Sequence, residues 1–289
     1  MTNKDHIETA ISYLTKKLRN KEPKVRAKAA EDLGNIGSEL AVLGLLKILK
    51  DSDYDVRKNA AEALAKIGSE TAIAWLLNAL ENSDWYTRCR AAEVLGTIGS
   101  ETAIPGLLKA LEDSDWYIRK KAAEALAKIG TETAIPGLLK ALEHPHWYVR
   151  RKAVEALAKI GTETAIAGLL KALEHPNKDV RRNAVEALDK IGTETAIPGL
   201  LKALEDSDYD IRIYAAEALG KIGTETAIPG LLKALEDSNS YVREKAAEAL
   251  GKIGSKTTIA GLLKALEDSD NDVREKAAEA LSNIILFQC

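Results

Sequence analysis

The sequence predicts an all-α solenoid, a superhelix of nine 31-residue helical hairpins. Two observations carry the prediction. An arginine recurs at Arg26, Arg57, Arg88, Arg119, Arg150, Arg181, Arg212, Arg243 and Arg274, always 31 residues apart, and a glycine keeps the same spacing from Gly37 to Gly254. The composition is that of helices: Ala, Leu, Glu and Lys dominate, and the β-branched and aromatic runs that announce strands are missing. Units in such strict register read as one solenoid over residues 1–289, with no linker and no second domain.

Each element follows from local chemistry. The chain opens on a cap helix expected over about residues 5–19, where Lys4, Glu8, Ser12, Lys16 and Lys17 surround the apolar stripe Ile7, Ile11, Leu14 and Leu18. The unit from Thr131 to Gly161 stands for the others. Thr131 and Thr133 are candidate N-caps, and Pro136 sits where a first helical turn has spare N–H groups. Ile135, Leu138, Leu139 and Leu142 follow at the spacing of one helical face. His144-Pro145-His146 breaks this helix A; four other units have Asp-Ser-Asp there, whose second Asp can cap helix B. Helix B carries Val149, Ala153, Ala156, Leu157 and Ile160 on one face and ends at Gly161, the place of a left-handed C′ residue. One hairpin cannot bury these faces alone, so neighbours must stack, and Ala pairs such as Ala122-Ala123 and Ala246-Ala247 allow close approach.

The last unit departs from the pattern. Where the others run Ile-Gly it runs Ile284-Ile285-Leu286-Phe287-Gln288-Cys289. With no helix following, Leu281 and Ile284 are expected to stand uncovered, which makes residues 281–289 a poorly capped end: the tail folds back over the last hairpin, or meets another subunit end to end in self-association, or the chain is a fragment of a longer protein.

Composition narrows the function. A net charge of −3 argues against a dedicated nucleic-acid binder, which is usually clearly basic. Cys89 and Cys289 have neither metal nor redox spacing, which points to a reducing compartment. A polar start without a signal-peptide core, and no apolar stretch of bilayer length, predict a cytoplasmic protein away from membranes.

The runs E-D-S-D-x-x-V-R-x-x-A-A-E-A-L-x-K-I-G and T-A-I-P-G-L-L-K-A-L resemble the short HEAT-like repeat of the phycobilisome-lyase type, and artificial repeat proteins built on that unit. The resemblance covers almost the whole chain and implies the fold. It implies little about function, since the family includes lyase subunits, scaffolds and sensor regions of signalling ATPases. It also implies that the B helices line the concave side.

Comparison of the units locates a candidate surface. Helix A is nearly constant, whereas helix B changes at −3, −2, +1 and +2 from the invariant arginine. Positions −2, +2, +5 and +9 form a stripe opposite the apolar one, as in Tyr117, Lys121, Glu124 and Lys128. Three Trp-Tyr pairs occur there, Trp85-Tyr86, Trp116-Tyr117 and Trp147-Tyr148, with Tyr54 and Tyr209 at the Trp position of flanking units. Arg90, Lys120, Lys121, Arg151, Lys152 and Arg182 lie among them, and Tyr214 takes the +2 place in the seventh unit. Units three to six hold ten bases against five acids at the exposed B positions; units seven to nine hold four against seven. Exposed rings beside Arg and Lys are typical of interface hot spots, and a role in packing would not tolerate exchange of Trp and Tyr for Lys, Asp, Ser and Asn.

No catalytic constellation emerges: the sequence has no nucleophile elbow, phosphate loop or Cys-His pair. The invariant arginines read as a structural ladder on acids or carbonyls of their own or the adjoining turn. His144 and His175 are equivalent positions one unit apart, and no cysteine or dense carboxylate set completes four ligands, so neither metal nor cofactor is expected. The iron-binding His-Glu pairs of the HEAT-like deoxyhypusine hydroxylases do not carry over, because Glu143-His144 and Glu174-His175 have the reverse order and lie in loops. Cys89, at +1, would stand on the variable face, where it could hold a tetrapyrrole. The sequence thus predicts a non-enzymatic protein-binding scaffold or sensor. The alternatives are single-stranded nucleic-acid binding along the basic aromatic groove and an accessory role in bilin attachment.

Overall fold

The computed structural model describes residues 3–82 and 84–286, with backbone only for residues 3, 82 and 286. Eighteen α-helices occur among the described residues, and no strand. They fall into two compact units, residues 1–134 and 135–289. In the first, α1 (Asn3–Lys17) takes the place of a first A helix. The A helices α3 (Val42–Ile48), α5 (Glu70–Asn82) and α7 (Ile104–Ala110) then alternate with the B helices α2 (Pro23–Ile36), α4 (Tyr54–Ile67), α6 (Trp85–Ile98) and α8 (Trp116–Ile129). In the second, A helices α9 (Ile135–Ala141), α11 (Glu163–Ala172), α13 (Ile197–Ala203), α15 (Ile228–Ala234) and α17 (Ile259–Ala265) alternate with B helices. These are α10 (Trp147–Ile160), α12 (Lys178–Ile191), α14 (Tyr209–Ile222), α16 (Ser240–Ile253) and α18 (Asn271–Leu286).

Within each unit every hairpin stacks on the next, B helix beside B helix. The core is the expected stripe: Val56, Ala60, Ala63 and Leu64 of α4 are at most 1% exposed, and their equivalents along the chain are buried with them. In α6 the first core position is Thr87, whose hydroxyl donates to Asp84 at 2.8 Å, so burial leaves no orphaned polar atom there.

Turn chemistry sets the hairpin. The third residue of the A–B turn caps helix B as expected: Asp53 accepts from the Val56 N–H at 3.1 Å, Asp115 from Tyr117 at 2.8 Å, and His146 does the same through Nδ1 for Tyr148 at 3.3 Å. Gly161 closes α10 at φ 58°, in the left-handed region that a side chain would strain. Helix A begins differently from expectation. A 3₁₀ turn, Glu132–Ala134, precedes α9, and the Thr131 and Thr133 hydroxyls bond each other at 2.8 Å, while the equivalent Thr193 accepts from the Thr195 N–H at 3.4 Å.

The invariant arginines tie one hairpin to the next. Arg212 donates from Nη1 to the Asp206 carbonyl of its own turn at 2.7 Å. Its Nε and Nη2 grip the Asp237 carboxylate of the next turn at 2.7 and 2.9 Å. Arg26–Asp51, Arg181–Asp206 and Arg243–Asp268 repeat this two-point grip. Burial opposes ionisation of Asp51, Asp206 and Asp237, but the guanidinium and backbone N–H donors outweigh it and hold all three carboxyls below their ordinary range. Arg57 keeps the carbonyl half of the device, with Nη1 at 2.7 and 2.6 Å from Asp51 and Ser52 oxygens. The residue 25 places on from it is Asn82, and its Nε is buried without a hydrogen bond among the described residues.

The end of the chain corrects one expectation. Leu281 and Ile284 are 8% and 1% exposed, not uncovered, because α18 runs on through the place where glycine ends the other B helices. Ile285 is exposed; the Leu286 side chain, Phe287 and Cys289 lie outside the described residues.

Asp237→Ala leaves the Arg212 fork without its acceptor and should cost about 2–3 kcal/mol in urea unfolding. Since the folded-state pKa of Asp237 is lowered, its contribution is full above the ordinary value of 3.8 and lost as pH falls through the lowered one. The two unfolding midpoints should therefore separate at neutral pH and converge in acid.

Candidate functional site

From α4 onwards the B helices begin with an Asp, Asn or His cap, so positions −3 and −2 occupy the first turn, beyond the hydrophobic stripe. The cap thereby fixes how the rings are presented. Tyr54, Trp85 and Trp116 in the first unit, and Trp147 and Tyr209 in the second, are all about half exposed. Each Tyr at −2 is half-buried behind its Trp and edge-on to it, with centroids 5.7, 5.3 and 5.6 Å apart in the three pairs.

The cations at +2 lie one turn further on. Arg90, Lys121 and Lys152 sit over the rings of Tyr86, Tyr117 and Tyr148 at 5.3, 5.7 and 5.5 Å. They are less open than the sequence pattern suggested: their side chains are only about a fifth exposed. The reason is pairing as well as stacking. Arg90 bonds Glu93 at 2.6 Å and the Tyr86 hydroxyl at 3.1 Å; Lys121 bonds Glu124 at 3.2 Å and reaches Glu93 of the preceding hairpin at 3.9 Å; Lys152 bonds Glu155 at 2.6 Å. Lys120 also approaches the Tyr117 ring, at 5.7 Å, while Arg151 and Arg182 extend towards solvent and contact Glu155 and Asp179.

Two clefts result. In the first unit, about 700 Å³ opens across α4, α6 and α8, walled by Tyr54, Trp85, Tyr86, Trp116 and Tyr117, with Arg90, Glu93 and Lys121 behind the rings. In the second, about 500 Å³ lies across α10, α12 and α14 between Trp147 and Tyr214, lined by Arg150, Arg151, Arg182 and Lys190. Tyr148, Lys152 and Tyr209 do not line that second cleft, and Lys120 does not line the first. Asn183, which sequence reasoning passed over, forms its floor: it is 6% exposed and donates to the Leu142 carbonyl at 3.3 Å.

Helix spacing varies within each unit. At +8 from the arginine the chain carries Gly34, Gly96, Gly220 and Gly251, but Ala65, Ala127, Ala158 and Asp189 in the other units. A Cβ on Gly96 would stand 2.6 Å from the Ala125 Cα, and Gly34, Gly220 and Gly251 are as tightly met by Ala63, Ala249 and Ala280. The next B helix therefore packs most closely where +8 is glycine and stands off where it is not. Position +1 shares that face two turns earlier, and in α2 and α6 it is covered where the glycine draws the neighbour in. Cys89 is accordingly 4% exposed, whereas Lys58 and Arg151 are open. This corrects the expectation that Cys89 stands on the free surface. Burial also pushes its thiol up to about 11, the opposite of activation.

No three His, Cys, Asp or Glu side chains converge as metal ligands among the described residues. His144 and His175 instead take over the turn role of aspartate, accepting through Nδ1 from the N–H groups of His146 and Asn177 at 3.0 and 3.1 Å. No helix is long and apolar enough to cross a membrane among the described residues.

The sequence profile of HEAT repeats matches residues 11–83, 73–146, 135–210 and 197–282. No curated protein matches the chain in sequence. Among solved structures, the complex of Kap95p with RanGDP aligns with TM-score 0.57 at 14% identity, over 95% of this chain and 46% of that one. An engineered protein aligns at 27% identity and TM-score 0.42, over 95% and 88%. The CpcE–CpcF phycocyanin lyase of Nostoc sp. PCC7120 aligns at 27% and 0.39, over 86% and 95%.

Gly96→Ala separates packing from propensity. Helix propensity alone favours Ala by about 1 kcal/mol, while the clash with Ala125 should outweigh it and leave the protein about 1–2 kcal/mol less stable in urea. A gain in stability would show that the glycine does not set the spacing.

Proposed function

The chain belongs to the HEAT-repeat family, and from that premise we propose that it is a non-enzymatic scaffold or sensor that binds a protein partner on the face of its B helices. The observation that carries this reading is the separation of constant from variable residues. The arginine, its aspartate acceptors, the caps and the apolar stripe recur to hold the stack. Positions −3 and −2 are free of that duty, yet they place half-exposed Trp and Tyr beside two clefts. Large rings that are costly to leave in water and contribute little to the core suit a partner's surface. A reducing, cytoplasmic setting agrees with the absence of any disulfide spacing in the sequence.

Single-stranded nucleic acid is the rival occupant. It is disfavoured because Arg90, Lys121 and Lys152 are already neutralised by glutamates 2.6 to 3.2 Å away, which weakens the counterion release that drives such binding. Bilin attachment rests on the family resemblance alone and finds no activated thiol at Cys89.

Selection of a random peptide library on the protein should enrich binders whose affinity falls roughly 30-fold when Trp85 and Trp116, or Trp147, are changed to Ala, about 2 kcal/mol. Helical circular dichroism should not change. Enriched peptides indifferent to all three substitutions, or an oligonucleotide that binds instead with a steep salt dependence, would contradict the proposal.

A further inference from the structure

Three consecutive B helices of the first unit carry an aromatic ring at one register position: Tyr54 opens α4, Trp85 opens α6 and Trp116 opens α8, at 58%, 54% and 56% exposure. The rings form a row across the helices with one rung per repeat. Helices packed side by side are about 8–10 Å apart, with α8 closer to α6 than α6 is to α4. A polyproline II segment has three residues per turn and a rise of ~3.1 Å, so it presents the same face about every 9.3 Å. A β-strand repeats a face about every 6.6 Å and an α-helix every ~5.4 Å, and either would fall out of step with the row.

The chemistry of the cleft points the same way. A polyproline segment makes no internal hydrogen bonds, so its carbonyls need donors. The Tyr86 oxygen accepts from Arg90 Nε at 3.1 Å, which leaves its own proton to donate outward. Exposed indole faces offer flat apolar surfaces for pyrrolidine rings. The cations are internally matched, Arg90 by Glu93 and Lys121 by Glu124 and Glu93, so the electrostatics complement an uncharged segment better than a phosphate chain or an acidic peptide. In the second unit the row is broken. The B helix after Trp147 begins with Lys178, whose ammonium is held by Asp208 at 3.0 Å.

We infer that the cleft across α4, α6 and α8 docks a proline-rich segment in the polyproline II conformation, one turn per repeat, with rings seated on Tyr54, Trp85 and Trp116. This deepens the protein-binding reading and rests on it. Decaproline titrated into the full chain, followed by tryptophan fluorescence and calorimetry, should saturate, whereas a ten-residue Gly-Ser peptide should not bind. Trp116→Ala should weaken decaproline at least tenfold with helix content intact, and Trp147→Ala should alter it less than twofold. Failure of decaproline to bind, or equal binding to Trp116→Ala, overturns the inference. If library-selected peptides without proline still depend on Trp116, the protein-binding reading survives that failure. If no peptide of any class binds, both fall together.

Discussion

A guanidinium that holds two successive turns at once is the constraint on which the stack depends. Its Nη1 satisfies carbonyls of its own A–B turn, and its Nε–Nη2 fork takes the aspartate of the next, as in Arg212 between Asp206 and Asp237. The planar donor fork matches a carboxylate in one orientation, so the bond transmits orientation as well as distance. Apolar burial gives cohesion but little register, because an Ala- and Leu-rich face can slide. The fork supplies the register wherever the next turn carries the aspartate, as at Asp51, Asp206, Asp237 and Asp268. Where the aspartate is missing, as 25 residues beyond Arg57, the carbonyl contacts remain, at 2.7 and 2.6 Å.

Within that register a second, finer control acts through the residue at +8. Glycine there admits the next B helix to contact with its backbone; alanine or aspartate holds it away. The cleft of the second unit spans helices with Ala158 and Asp189 at that place, whereas the cleft of the first is lined chiefly from α6 and α8, the pair drawn together at Gly96. The residue at +8 thus sets how closely successive B helices approach within each unit.

Much of this was legible in the sequence because each repeat carries its own punctuation. Caps, turn breakers and the left-handed glycine are local, so the hairpins and the half-exposed Trp and Tyr positions could be placed without knowing the stack. What depends on a neighbour was harder. The aspartate gripped by each arginine lies 25 residues on, in another hairpin. The glycines at +8 were hidden among alanines, although their uneven distribution was the signal to read. The burial of Cys89 and the partial burial of Lys121 and Lys152 follow from approach and pairing between helices, which helical periodicity within one segment does not report. Leu281 and Ile284 misled for a related reason, since the absence of a following helix was taken for absence of cover.

On the proposed reading one set of residues builds the frame and another, free of it, makes the proposed binding face. Replacing Trp116, Tyr117 and Lys120 of α8 by the Asn, Asp and Glu that α18 carries at the same places (Asn271, Asp272 and Glu275) tests both halves in one protein. Urea unfolding should change by no more than about 0.5 kcal/mol per substitution, while a peptide selected on the unaltered first unit should lose at least tenfold in affinity. A loss of several kcal/mol in stability, or binding that survives the exchange, would contradict the account.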